Sequence, residues 1–335
     1  MDIFLNGEWL PLVFALLMVV AVLAYAVLDG YDLGVGILMR NATQEERDVM
    51  ISSIGPFWDA NETWLVLAIG ILLIAFPQAH GIVLTNLYLP VCLMLVGLIL
   101  RGVSFEFRAK VQSENKAAWD KAFIVGSLLT AMCQGYMLAS YVLGFAHGVW
   151  PLLFCLMVAL CVAAGYSLIG ASWLIMKTEG ALQYKAVNWA IKAMRGTALG
   201  IVVVSVATPA MSSHMLDRWT TYPDILILAP LPIAIVGLVA YLEVVLRGML
   251  VNPQTMCWRP FVITGGLFVS CLIALAYSFY PYIIPEQLKI VDAASAPESL
   301  MFILVGALIV LPALIGYTLF AYKVFHGKTK ELSYN

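Results

Sequence analysis

Long apolar stretches, separated by short polar segments, dominate the pattern along this chain. A run of about 20 apolar residues is long enough to cross the hydrocarbon core of a bilayer as a helix. Nine windows fit this pattern, at residues 9–38, 57–77, 80–108, 119–146, 150–177, 192–212, 223–247, 258–282 and 298–325. The sixth window is the weakest, because IVVVSVATPAMSSH mixes small polar residues and Pro209 into the apolar run. The pattern therefore predicts an all-α polytopic membrane protein with nine transmembrane helices.

The distribution of Lys and Arg tests this number of spans, since cytoplasmic loops of membrane proteins carry an excess of positive charge. If the N-terminus lies outside, 16 of the 18 Lys and Arg residues fall in inner segments. The two that fall in outer segments are Arg218 and Lys289. The sequence therefore predicts a periplasmic N-terminus and a cytoplasmic C-terminus.

Composition supports a membrane protein without a soluble domain. Of the 335 residues, 62% are hydrophobic and 11% are charged, and the mean hydropathy is +0.94. A water-soluble domain needs more polar groups than this to cover its surface. The net charge of −2 and the lack of a long basic tract argue against nucleic-acid binding. No basic stretch with a cleavage site precedes the first span, so we expect that span to be retained.

Two pairs of acidic residues lie at the inner ends of the first two spans. Asp29 and Asp32 fall three residues apart near the end of the first span, and Asp59 and Glu62 repeat this spacing at the start of the second. Residues with this spacing lie on one face of a helix, about one turn apart. The predicted topology places both pairs at the same level of the membrane. We therefore expect the carboxyl groups to converge.

A GxxxG pattern suggests that the acids of the first span face protein rather than lipid. Gly30 and Gly34 in LDGYDLGVGIL remove side-chain bulk, so that another helix can approach closely. The alternative is that Asp29 and Asp32 are simply solvated at the inner interface. For the second pair, the alternative is a favourable charge at a helix N-terminus, with Trp58 and Trp64 as ordinary interfacial residues.

The inner end of the third span supplies positive charge at the same level. In LRGVSFEFRAK, Arg101 precedes Glu106 by five residues. An arginine one or two turns inside the interface needs a counter-ion, which the acids of the neighbouring spans provide. Such a cluster is typical of the entrance to a proton-conducting path. Glu243 and Arg247, four residues apart near the end of the seventh span, are predicted to form an ordinary helix ion pair.

The four histidines argue against a haem held by this chain alone. Haem between membrane helices needs His, Met or similar ligands that face the bundle interior. His80, His147 and His214 fall in outer connections, and His326 falls in the inner tail. Sequence motifs for nucleotide binding, zinc proteases and serine hydrolases are absent as well. The residues alone favour a proton-conducting membrane protein and do not distinguish an oxidase subunit from a transporter.

Three motifs in the first third of the chain resemble subunit II of the cytochrome bd quinol oxidases. They are LDGYDLGVGIL, RDVMISSIGPFWDANETWLV and LRGVSFEFRAK followed by WDKAFIVGS, in the order and at roughly the spacing of that family. The second half matches mainly in helix number and polarity. The short loops and the total of 335 residues resemble the cyanide-insensitive branch.

The resemblance implies an architecture and a set of partners. The family fold has two four-helix bundles, here 9–146 and 150–282, followed by a peripheral ninth helix at 298–325. The chain would be the partner of a haem-bearing subunit I in a terminal oxidase of the bacterial cytoplasmic membrane, sometimes with a small third subunit. The b-type haems and haem d would belong to subunit I. The resemblance implies no cofactor bound by this chain alone, and it gives a structural quinone or a lipid as the candidate ligand.

The resemblance also implies a cytoplasmic proton route. The acids of that route in the family match Asp59 and Glu106, where other members have Asp in place of Glu. Neighbouring polar positions match Asp29, Asp32, Trp64 and Arg101. Two alternatives remain open, namely a proton-coupled transporter that uses the same acids and a purely structural assembly subunit.

Overall fold

The structure of this chain, a computed structural model, describes residues 9–111, 116–211, 216, 219–222, 224–252, 254 and 256–329. Two residues assigned above to outer segments, His214 and Arg218, lie outside the described residues. The described part is almost entirely helical, as the apolar pattern predicts.

Twelve α-helices and two short strands follow one another along the described chain. The helices are α1 (Leu10–Leu38), α2 (Gln44–Ile54), α3 (Trp58–Ala75), α4 (Pro77–Lys110), α5 (Lys116–Val142), α6 (Val149–Lys177), α7 (Gly180–Met211), α8 (Asp224–Leu228), α9 (Pro230–Met249), α10 (Arg259–Phe279), α11 (Ile290–Ala293) and α12 (Pro297–Val324). Strands β1 (Tyr282–Ile284) and β2 (Leu288–Lys289) pair in antiparallel orientation between α10 and α11.

Nine of these helices are long and apolar enough to cross a membrane, counted over the described residues. They are α1, α3, α4, α5, α6, α7, α9, α10 and α12. The prediction of nine spans is therefore confirmed for this part of the chain. The seventh window, 223–247, is divided between α8 and α9. The sidedness of the termini stays a prediction, since the structure contains no membrane.

Three local features differ from the predicted pattern. Helix α7 begins at Gly180, well before its apolar window at 192–212, because the more polar residues that precede the window are helical as well. The prediction missed helix α2, although Thr43 and Glu46 form a capping box at its N-terminus, a signal that the sequence carries. The small β-hairpin lies in a connection where the all-α prediction expected no strand.

Helix α1 packs against α3, α5 and α6, and its C-terminal third is almost entirely buried. A Cβ atom on Gly34 would overlap the carbonyl oxygen of Tyr166, and one on Gly170 would lie 2.5 Å from the carbonyl carbon of Gly34. The backbones of α1 and α6 therefore touch at two glycines, as the GxxxG pattern predicts. Because this contact joins the predicted bundles 9–146 and 150–282, their division into two bundles stays a prediction.

Aromatic side chains fill the inner end of the molecule and connect α12 to the rest. The ring of Tyr31 stacks on Trp173 with centroids 4.1 Å apart, and Phe57 packs against Tyr322 of α12 at 4.6 Å. Elsewhere α12 is largely exposed, with Leu300 and Ala321 as its buried residues. The ninth helix is therefore peripheral and contacts the rest of the protein near both of its ends.

Candidate functional site

A buried arginine near the inner end of α4 is the centre of the candidate site. Arg101 is fully buried, and its Nη2 atom donates to Oδ1 of Asp29 on α1 at 2.6 Å. The same nitrogen lies 3.2 Å from Oε1 of Glu62 on α3. The counter-ions that the sequence required for Arg101 are thus supplied by two different helices.

A second acid lies beside this pair on α1 and belongs to a hydrogen-bonded chain. Asn61 of α3 donates from Nδ2 to Oδ2 of Asp32 at 2.8 Å and contacts the hydroxyl of Tyr31 at 2.9 Å. The hydroxyl of Tyr31 lies 2.7 Å from that of Tyr322 on α12. Both Asp32 and Asn61 are buried. The polar network therefore extends from α1 through α3 to the ninth helix.

Another polar chain lies one helical turn further along α1, away from the inner end. Gln134 of α5 donates to the hydroxyl of Tyr25 at 2.6 Å and accepts a hydrogen bond from the hydroxyl of Tyr166, also at 2.6 Å. Trp64 packs beside Tyr25, and its indole nitrogen is buried without a hydrogen-bond partner among the described residues. Tyr25 and Asp29 are four residues apart on one face of α1. The hydrogen bonds of Tyr25, Gln134 and Tyr166 therefore lie next to the ion pair of Arg101 and Asp29.

Charge counting shows what this cluster can do chemically. Asp29, Asp32 and Glu62 place three carboxyl groups around the single guanidinium of Arg101. A net charge of −2 inside a membrane helix bundle is costly, whereas a carboxyl group that binds a proton becomes neutral. The cluster can therefore hold at least one exchangeable proton while Arg101 keeps a carboxylate partner.

Several polar atoms of the cluster have no hydrogen-bond partner among the described residues. They are Nε and Nη1 of Arg101, Oδ2 of Asp29 and Oδ1 of Asp32. Buried polar atoms of this kind normally bind ordered water. The network thus has the donors and acceptors that a water-linked path requires.

Asp59 and Glu106 lie at the edge of the site rather than inside it. Both are exposed, and Glu106 pairs with Lys110 at 3.4 Å. Their sequence neighbours Trp58 and Phe105 are in contact, with ring centroids 5.0 Å apart. Of the four acids expected to converge, Asp29, Asp32 and Glu62 do so, while Asp59 stays at the surface one turn from Glu62.

A separate ionic cluster lies two turns further toward the inner end of α4. Arg108 donates from Nε to Asp120 of α5 at 2.5 Å, and its Nη2 lies 2.8 Å from Asp48 of α2. Nη1 of Arg47 lies 3.3 Å from Oδ2 of Asp120, and Nζ of Lys116 lies 3.5 Å from Oδ1 of Asp48. This cluster was not predicted from the sequence, because it depends on α2.

The predicted ion pair near the end of the seventh span is present and has a third member. Arg247 donates from Nε to Oε1 of Glu243 at 2.7 Å. Arg195 of α7 reaches the same oxygen from Nη2 at 3.2 Å. The i, i+4 prediction is confirmed, while the contribution of α7 depends on tertiary packing and was not predicted.

The described histidines lie near helix ends. His147 and His326 are exposed, and His80 is half-buried in the first turns of α4. Among the described residues, no group of three or more His, Cys, Asp or Glu side chains is arranged to hold a metal ion.

Comparison with known proteins gives consistent matches over nearly the whole chain. The family model described as cytochrome bd terminal oxidase subunit II matches residues 10–325. The cytochrome bd ubiquinol oxidase subunit 2 of Bacillus subtilis (strain 168) is 30% identical, over 94% of this chain and 96% of that protein. The cytochrome bd-I ubiquinol oxidase subunit 2 of Escherichia coli (strain K12) is 27% identical, over 98% and 97%.

A solved structure has the same fold. A chain of the bd oxidase from Geobacillus thermodenitrificans superimposes with a TM-score of 0.78 and 16% sequence identity. The match covers 94% of this chain and 98% of the other. At this identity the likeness supports the fold alone.

Proposed function

We propose a proton-handling role for this chain on the premise that it belongs to the family of cytochrome bd terminal oxidase subunit II. It is a multi-pass protein of the bacterial inner membrane and a component of a quinol:oxygen oxidoreductase complex. In that complex quinol is oxidised and oxygen is reduced to water, a reaction that consumes protons. A subunit that supplies those protons from the cytoplasm needs a chain of exchangeable groups within the membrane.

The haems of such a complex would be bound by the partner, subunit I. The described histidines of this chain are at helix ends or exposed, so they do not fit axial ligation between helices. This chain is therefore proposed to supply assembly contacts and protons, with no catalytic residue of its own. A structural quinone or lipid and a small third subunit remain part of the proposal.

The single observation that carries the proton proposal is the excess of carboxyl groups around Arg101. Asp29 and Glu62 both contact its guanidinium, and Asp32 lies three residues from Asp29 on the same helix. An ion pair that served structure alone would need one acid. Extra buried acids next to an arginine are typical of proton relays in membrane proteins.

The proposed route enters at the exposed edge and passes through Glu62. Asp59 is exposed and lies one turn from Glu62, whose side chain is 28% exposed. Glu62 in turn contacts the fully buried Arg101, which is bonded to Asp29. Glu106 is proposed as a second exposed acid at the entrance, beside Phe105. Asp32 and Trp64 would border the inner part of the route.

The decisive experiment substitutes Glu62 by Gln, which keeps the shape and removes the exchangeable proton. In the purified complex, Glu62→Gln is expected to lower quinol-dependent oxygen consumption and proton uptake about tenfold or more, with haem content unchanged. Asp59→Asn is expected to act in the same direction but less strongly, because water can bypass an exposed group. Glu45→Gln, an exposed acid of α2 outside the route, is the matched control.

The contrary outcomes separate the remaining alternatives. Wild-type turnover and proton uptake in Glu62→Gln and Asp59→Asn would overturn the proton route. If neutralisation of every acid of the cluster also preserved turnover, while removal of the chain abolished assembly, the subunit would be structural. A colourless chain that purifies without a haem-bearing partner and transports a solute would support a transporter instead.

A further inference from the structure

An excess of positive charge lies on the exposed surface of α7 and α9, two helices that carry none of the acids around Arg101. Arg195 and Arg247 share one oxygen of Glu243, so two guanidinium groups face one carboxylate. Lys192, exposed and three residues before Arg195 on α7, adds another positive charge. Glu243 therefore leaves most of the local positive charge unbalanced.

Both arginines keep much of their surface free for another partner. Their side chains are 60% and 65% exposed despite the contact with Glu243. A guanidinium has five N–H donors. Arg195 contacts Glu243 through Nη2 alone, and Arg247 contacts it through Nε and Nη2. Since both side chains are mostly exposed, the remaining N–H groups of Arg195 and Arg247 are accessible to an anion with several oxygens.

Exposed apolar stripes lead away from each arginine along its own helix. On α7 the stripe consists of Leu199, Val202 and Val206, which follow Arg195 at helical spacing. On α9 it consists of Ile233, Val236 and Val244, which precede Arg247 at helical spacing. The two helices pack against each other. Each stripe thus runs from a charged end into the region that faces lipid.

We propose that this surface, formed by Arg195, Arg247, Lys192 and the two apolar stripes, binds an anionic phospholipid. The phosphate group would lie on the two guanidinium groups, and the acyl chains would lie along the stripes. Basic residues at the inner ends of membrane helices bind anionic headgroups in this way. The alignment of charge with apolar surface favours a lipid over free phosphate, which would use the charges alone.

The test measures which lipid the purified oxidase complex retains. Delipidated complex is incubated with equal amounts of phosphatidylglycerol and phosphatidylcholine of the same acyl chains, and bound lipid is quantified by native mass spectrometry. The wild type is expected to prefer phosphatidylglycerol. Each basic residue near an anionic headgroup contributes about fivefold in affinity, so Arg195→Gln/Arg247→Gln should weaken that preference about 25-fold.

Two further variants distinguish a lipid site from a structural ion pair. Arg40→Gln/Lys121→Gln removes two exposed positive charges elsewhere at the same end and should leave the preference unchanged. Glu243→Gln removes the competing carboxylate, so it should increase phosphatidylglycerol retention. A structural role for the three residues would give no such increase. If the double arginine variant fails to assemble, phosphatidylglycerol retention by Glu243→Gln still tests the proposal.

Three results would overturn the proposal. One is equal retention of phosphatidylglycerol by the wild type and Arg195→Gln/Arg247→Gln. Another is reduced retention in Glu243→Gln. The third is complete displacement of the lipid by excess inorganic phosphate, which would show that the apolar stripes contribute nothing.

Discussion

Two arginines on α4 lie seven residues apart in clusters of opposite charge balance. Around Arg101, the carboxyl groups of Asp29 and Glu62 contact the guanidinium and that of Asp32 lies on the next turn of α1, and all but Glu62 are fully buried. Around Arg108, the positive groups of Arg47, Arg108 and Lys116 face two carboxylates. By depth of burial, we call the Arg101 group the inner cluster and the Arg108 group the outer cluster, although the Arg108 group lies nearer the inner end of α4. The inner cluster is suited to binding protons, whereas the outer cluster joins helices.

Burial explains why the same residue types have different roles in the two clusters. In the inner cluster no water-exposed charge relieves the excess of acid, so proton binding is the available means of neutralisation. In the outer cluster Asp48 and Lys116 are 44% and 31% exposed, and solvent screens the remaining charge. The comparison therefore predicts large, specific effects at Arg101 and graded, salt-dependent effects at Arg108.

The largest effect is expected when the inner guanidinium is removed. Arg101→Gln leaves Asp29 and Glu62 facing each other without a cation, and breaking a buried ion pair costs about 3–5 kcal/mol. Arg108→Gln should cost about 1–2 kcal/mol, because Arg47 still neutralises Asp120. Thermal unfolding of the detergent-solubilised complex measures the difference between the two variants.

A second substitution tests whether unpaired charge causes this loss. Asp29→Asn in the Arg101→Gln background removes the acid that lost its partner and should recover part of the lost stability. If the double variant is as unstable as Arg101→Gln alone, lost packing of the arginine rather than charge explains the effect, and the two clusters do not differ as argued.

The next largest effect is expected at Asp120, the buried acid of the outer cluster. Asp120 is fully buried and accepts from Arg108 and from Arg47, so Asp120→Asn should cost about 2 kcal/mol. Quinol oxidase activity of the assembled complex should remain near wild type. A strong loss of proton uptake in Asp120→Asn would show that the outer cluster belongs to the proton route as well.

Much of the fold was predictable from the sequence, because apolar length determines the spans. The nine windows agree with nine helices over the described residues, and the need of Arg101 for a counter-ion was inferred from its position alone. That Glu62 rather than Asp59 contacts Arg101 was not predictable. Both acids share one side of α3, and the rotation of α3 about its axis, which its packing against α1 fixes, decides which of them reaches Arg101.

The outer cluster shows the other limit of prediction from sequence. Asp120 and Arg108 lie on consecutive helices, but their partners Arg47 and Asp48 are on α2. That helix has no long apolar window, so a search for spans does not find it. The capping box at Thr43 and Glu46 would have identified its start. Contacts between α2 and the span ends then depend on tertiary packing, which no local pattern specifies.

A smaller effect tests how far the inner cluster extends. Tyr322→Phe removes the hydroxyl that meets Tyr31 at 2.7 Å and should cost about 1 kcal/mol. Thermal unfolding of the complex measures this loss, and Tyr317→Phe, at an exposed position of the same helix, is the control. If the network beyond Asn61 only anchors α12, turnover should not change in Tyr322→Phe. A parallel loss of proton uptake would extend the proton route to the ninth helix.

The smallest effect is expected at a partly exposed ion pair next to the outer cluster. Nζ of Lys185 on α7 lies 2.7 Å from Oε1 of Glu46 on α2. Partial burial opposes ionisation of Glu46, but hydrogen bonds from Lys185 and from the backbone of Thr43 hold the pKa of Glu46 below its ordinary value of 4.5. The stability that this pair contributes is therefore present above about pH 4.5 and is lost as the pH falls through the pKa of the folded protein. Because the pair is partly exposed, Glu46→Gln should cost less than about 1 kcal/mol at neutral pH. Unfolding midpoints of the wild type and Glu46→Gln should stay apart down to about pH 4.5, converge as the pH is lowered further, and converge as salt is added. A difference between them that persists at low pH would mean that packing of Glu46, rather than its charge, joins α2 to α7.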